Sequence, residues 1–61
     1  MKESYYILDG NLYQIKNEDN VLKCLLHIKS KGFVIKCNPY DIMFNGTEIP
    51  KNEIFKYIKN I

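Results

Sequence analysis

A chain of 61 residues makes one domain, residues 1–61, and at this length only about 60% of the unfolded surface is buried, so a deep active-site pocket would compete with the core for the same few side chains. The net charge of +2, from nine Lys and no Arg against seven acids, is too mild to imply nucleic acid by itself, and the lack of Arg counts against bidentate reading of phosphate or guanine. Ile, Lys and Asn supply 25 of the residues while Ala and Trp are absent, the bias that AT-rich codons produce.

In chain order, residues 4–8 (SYYIL) and 12–15 (LYQI) are β-rich runs around Asp9-Gly10-Asn11, which predicts a hairpin. A three-residue loop pairs residues of like parity. Tyr5, Ile7, Tyr13 and Ile15 are then expected on one face, and Tyr6, Leu8, Leu12 and Gln14 on the other. Residues 17–32 (NEDNVLKCLLHIKSKG) read as an amphipathic helix. Asn17 is a good N-cap, Glu18 and Asp19 suit the positive end of the dipole, Lys29 and Lys31 the negative end, and Gly32 the left-handed stop. On a helical wheel Val21, Leu22, Cys24, Leu25, Leu26 and Ile28 form one apolar arc. The same stretch also alternates as a strand would, with Ser30-Lys31-Gly32 as a turn into Phe33. The start and stop signals favour the helix, because a strand has no use for them.

Residues 33–37 (FVIKC) predict a strand, Asn38-Pro39 a turn, and residues 40–44 (YDIMF) another strand. Asn45-Gly46 is a tight-turn signal into residues 47–49. Pro50 suits the first turn of a final helix whose apolar stripe is Ile54, Phe55, Ile58 and Ile61. The expected fold class is α+β: a small antiparallel sheet in the order ββαβββα with both helices on one face. The alternative is a small SH3-like all-β barrel with a C-terminal helix.

The chemistry-bearing residues are sparse. Cys24, His27 and Cys37 supply three of the four ligands of a structural zinc site, and no fourth is apparent, so no metal and no cofactor are expected. Two reduced core thiols explain the cysteines more simply than a disulfide framework does. His27, the only histidine, has no Ser, Cys or carboxylate at a spacing that makes a nucleophile–base pair. There is no Gly-rich phosphate loop, and the acids form no compelling general acid/base pair. No catalytic residues are expected and the chain is read as a non-enzyme. Asn45-Gly46-Thr47 matches a glycosylation acceptor but is better read as turn chemistry.

Two surfaces remain. On the predicted helix, Lys23, His27 and Lys31 fall at i, i+4 and i+8, a basic stripe able to meet phosphates. On the predicted sheet, parity strands Tyr6, Leu8, Leu12, Val34 and Met43 on the face away from the helices, where an apolar patch marks a contact with a partner or with a second copy of the chain. The expected function is therefore a small non-enzymatic protein-binding module. Size, AT-rich composition and lack of chemistry are similar to the general run of phage or mobile-element accessory proteins, which implies inhibition of a host protein by occlusion, a host-defence antagonist for example. A nucleic-acid-binding protein using Lys23, His27 and Lys31 is the second expectation. The first ten residues, MKESYYILDG, hold no apolar run of a signal peptide and no segment approaches a membrane span, so a cytoplasmic setting is expected.

Overall fold

The structure, a computed structural model, describes residues 2–58. Four strands follow one another as a meander: β1 (Lys2–Leu8), β2 (Asn11–Glu18), β3 (Val21–Ile28) and β4 (Gly32–Cys37). A helix, α1 (Pro39–Asn45), leads to a short strand, β5 (Thr47–Ile49). A single 3₁₀ turn at Lys51–Glu53 and a short helix, α2 (Phe55–Ile58), complete the described chain. The strands form one open antiparallel sheet in the order β4-β3-β2-β1-β5. The class is α+β.

The meander is made by its turns. Leu8 pairs with Asn11 and Glu18 with Val21, so each of the first two loops is two residues long. Asp9 and Gly10 have φ of 53° and 81°, and Asp19 and Asn20 have 52° and 65°. Two positive φ values in a two-residue loop make a type I′ turn, whose twist matches that of the flanking strands. Asp, Asn and Gly are the residues that reach this region at least cost. In the third turn the Lys31 N–H donates to the Ile28 carbonyl at 3.0 Å, with Ser30 at φ 68° and Gly32 at φ 83°.

These turns correct the sequence reading of residues 17–32. The expected helix is strand β3 between two hairpin turns. Asp19, expected with Glu18 to supply the acids of a helix's first turn, instead forms the β2–β3 turn with Asn20. Gly32 does take positive φ, but it closes a hairpin and does not stop a helix. The physical reason is tertiary: β3 has a partner on both sides, and ladder pairing with β2 and β4 outweighs a helix-compatible pattern. The expected order ββαβββα is replaced accordingly.

Residues 40–44 are corrected in the opposite sense, from strand to helix α1. The Asn38 side-chain oxygen accepts from the Tyr40 N–H at 2.9 Å, and Pro39 occupies the first turn, where its missing N–H is no loss. The Gly46 N–H donates to the Ile42 carbonyl at 2.8 Å and closes the far end. Gly46 itself is extended, with φ −88°, so Asn45-Gly46 is not the tight turn expected. The final helix begins at Phe55, after the 3₁₀ turn at Lys51–Glu53 and later than Pro50 suggested, and Ile61 lies outside the described residues.

The two-residue loop also corrects the register. Tyr6 pairs with Tyr13, Ile15 with Cys24, Tyr13 with Leu26, and Cys24 with Cys37. Cross-strand partners share a face. Tyr6, Tyr13, Ile15 and Cys24 therefore lie on one side, where Ile42 of α1 packs on them to form the core, with Leu8, Leu22, Leu26 and Cys37 around it. The opposite face carries Tyr5, Leu12, Leu25 and His27. Rings of Tyr5 on β1 and Phe33 on β4 are 6.0 Å apart, although two strands separate them. In a flat sheet β1 and β4 would lie about 14 Å apart. The sheet thus curls around this second face and buries Tyr5 and Leu12 there. A bulge assists: Leu26 pairs with Ile35 and His27 with Phe33, leaving Val34 as the extra residue on β4.

Candidate interaction surface

The five residues expected to form one apolar face are distributed over three places. Tyr6 and Leu8 are half-buried against the core cluster. Leu12, at 3% exposure, is buried on the opposite face of the sheet. Val34 is exposed on the bulge of edge strand β4, and Met43 is exposed on α1. The premise of a shared sheet face is corrected, because a two-residue loop shifts β2 by one residue against β1 and exchanges its faces. Tyr6 and Met43 are nevertheless brought together: with Ser4, Ile15, Asn17 and Leu22 they line one shallow cleft. Burial and the Glu48 carboxylate, opposite Tyr6 in the ladder, push the Tyr6 hydroxyl above its ordinary pKa.

Lys23, His27 and Lys31 do not form the expected stripe. Four residues along a strand span about 13 Å, more than twice the rise of the same spacing on a helix. Lys23 Nζ is paired with Glu18 Oε1 at 2.8 Å across the β2–β3 hairpin. That hydrogen bond and the lysine charge hold the Glu18 carboxyl below its ordinary pKa. His27 is half-buried, its ring meeting Phe33 edge-on at 5.0 Å and 71°. Lys31 is exposed in the β3–β4 turn. A different set of lysines converges. Lys16 stands opposite Lys23 in the ladder, and with Lys36 they line one groove over Leu25, in which Glu18 is the acid.

The most exposed apolar surface is one of which the sequence reading named only Met43. Tyr40 is 66% exposed and Phe44 89%, and together with Met43 and Asp41 they line a shallow depression on the outer side of α1. Tyr40, Met43 and Phe44 occupy i, i+3 and i+4, one face of a helix, while Ile42 on the other face enters the core. The missed signal was Asn38-Pro39, an N-cap followed by proline at the first helical position. Read so, it turns YDIMF from an alternating strand into a short helix with an apolar outer face.

Among the described residues, no group of three or more His, Cys, Asp or Glu side chains is placed to hold a metal ion, and no helix is long and apolar enough to cross a membrane. Compared with protein-family models, with curated proteins and with solved structures, the chain matches none.

Proposed function

We propose that the protein is a small non-enzymatic protein-binding module whose contact element is the outer face of α1. The observation that carries this reading is the exposure of Tyr40, Met43 and Phe44 side by side on a helix that Ile42 anchors to the core. Fully burying one such side chain stabilises by about 1.5–3 kcal/mol, so covering all three gives a contact real strength. Tyrosine is enriched among binding hot spots, and a cluster on one rigid element needs little ordering when it docks. Tyr6, beside Met43 at the adjoining cleft, extends the surface toward the sheet. A module of this kind acts by occlusion: it covers a functional surface of its partner and needs no chemistry of its own. Inhibition of a host protein by a phage or mobile-element accessory protein is the setting that size and composition favour.

The test is a paired measurement. Phe44→Asp places a charge at the centre of the patch without touching the core. It is expected to keep the circular dichroism spectrum and melting temperature of the parent chain while a partner cross-linked by the parent is lost. Retention of the same partner at unchanged affinity by Phe44→Asp and by Tyr40→Ala overturns the assignment of the surface.

A second reading, nucleic-acid binding, draws support from the groove lined by Lys16, Lys23 and Lys36, which replaces the expected set of Lys23, His27 and Lys31. It ranks below the first. Glu18 neutralises Lys23, Glu3 stands opposite Lys16, and the nearby Phe33 ring is engaged with Tyr5 and His27.

A further inference from the structure

The two cysteines of the chain stand directly opposite each other, Cys24 on β3 and Cys37 on β4, and both are free thiols. Direct partners in an antiparallel ladder have Cα atoms about 4.5–5.5 Å apart, within the roughly 4.4–6.8 Å that a disulfide spans. As cross-strand partners, their side chains leave the same face of the sheet. The Cys37 thiol donates to the Ile35 carbonyl at 3.5 Å. Neither is held by a metal or paired elsewhere among the described residues.

From this placement we infer that Cys24 and Cys37 form a reversible redox site, closed to a cross-strand disulfide by a small anionic disulfide of the glutathione type. Cys37 is half-buried and Cys24 is 2% exposed, so Cys37 is the thiol that an incoming reagent reaches. The Cys37 thiolate attacks one sulfur of glutathione disulfide, expels one glutathione thiolate and leaves a mixed disulfide on Cys37. The Cys24 thiolate then attacks Cys37 Sγ and expels the second glutathione thiolate. The two protons given up by the protein end on the two glutathione thiols. The protein loses two electrons and the reagent gains them. Burial and the neighbouring Cys37 push the Cys24 thiol up to about 11, which slows the second step near neutral pH and lets it speed up as pH rises. Lys36 precedes Cys37 on edge strand β4 and, with Lys16 and Lys23 on the face opposite the two thiols, gives this part of the sheet a positive field that favours a net-negative reagent.

The bond would tie edge strand β4 to its neighbour immediately before Asn38 and Pro39, where α1 begins. It would thereby stiffen the base from which Tyr40, Met43 and Phe44 project. The redox site itself does not depend on the function proposed for that patch, because its readout is covalent.

The test uses the full chain, reduced, freed of reductant and exposed to glutathione disulfide. It is followed by intact mass measurement and non-reducing peptide mapping. The expected product is a monomer lighter by two hydrogen atoms, with the Cys24 and Cys37 peptides joined, and fully reversed by dithiothreitol. Cys24→Ala, its fold checked by circular dichroism, should instead retain glutathione on Cys37. Replacing glutathione disulfide by the uncharged 2-hydroxyethyl disulfide should slow the first step at low salt. A persistent glutathione adduct on the parent chain, a dimer linked through Cys37, or two thiols still free after a urea-unfolded control has oxidised would each overturn the proposal.

Discussion

Gly46 is required by its surroundings more than by its torsions. A Cβ there would lie 2.7 Å from the Ile42 carbonyl oxygen and 3.2 Å from that of Ile7. Both are backbone atoms, so α1 or β1 must move to admit a methyl group. Gly46→Ala is expected to lower stability by about 1–3 kcal/mol, read from urea unfolding. An unchanged midpoint would mean that α1 is not held against β1 as described. Cys24 makes a second residue-scale prediction. Its folded pKa of about 11 stands above the ordinary value of 9.0, so the unfolded chain gives up this proton first. The stability tied to the neutral thiol is intact below the ordinary value and is lost as pH rises from there toward the folded one. Cys24→Ala should flatten that alkaline decline in thermal melts, and an equal decline in both chains would remove Cys24 as its source.

At the scale of an element, β3 depends on a turn that resembles a helix start. Asn-Glu-Asp-Asn offers a cap and first-turn acids to a helix, and the same residues offer two positive-φ positions to a hairpin. The hairpin prevails because β3 finds a partner on each side, and Asp19 and Asn20 accept the φ of 52° and 65° that the turn requires. Asn20→Gly is expected to stabilise by up to about 1 kcal/mol, because glycine takes this region freely. Asn20→Val should cost about 1–2 kcal/mol, because a branched side chain resists it. A helix through this position would respond to glycine in the opposite sense, losing about 1 kcal/mol. Melting curves of the two variants therefore check the turn without a new structure.

For the whole molecule the question is what so small a chain can present. Curling brings Tyr5 to Phe33 and uses one sheet face internally, while α1 covers the other. The largest apolar side chains then left in water lie on helices and at the β4 edge. In the lysine-lined groove, Lys23 is paired with Glu18, and Lys16 stands opposite Glu3 in the ladder. A mobility-shift assay with single-stranded or duplex DNA is expected to show little binding at physiological salt. Tight binding that falls steeply with salt, and that Lys16→Gln with Lys36→Gln removes, would promote the second reading over the first.

Local signals in the sequence were sufficient for what depends on neighbours a few residues apart. The Asp9-Gly10 hairpin, the strand at residues 33–37, the apolar character of residues 21–28 and the terminal helical turn all follow from such signals. So does the unaided placement of Cys24 and Cys37 at apolar positions. Three matters were beyond them. Whether residues 21–28 coil or extend was decided by β2 and β4 standing on either side, since a short apolar run satisfies both periods. Whether Tyr6 or Tyr5 shares a face with Tyr13 and Ile15 was decided by one residue of loop length, which exchanges every face of β2. Residues 40–44 carry a local helix start in Asn38-Pro39, but what weighed against their strand-like alternation was Ile42 finding Tyr13, Ile15 and Cys24 beneath it. Pairing partners, register and the burial of one helix face are relations between distant residues. Composition and periodicity carry no record of them, and Tyr40 and Phe44 joined Met43 in one candidate surface only with the tertiary structure.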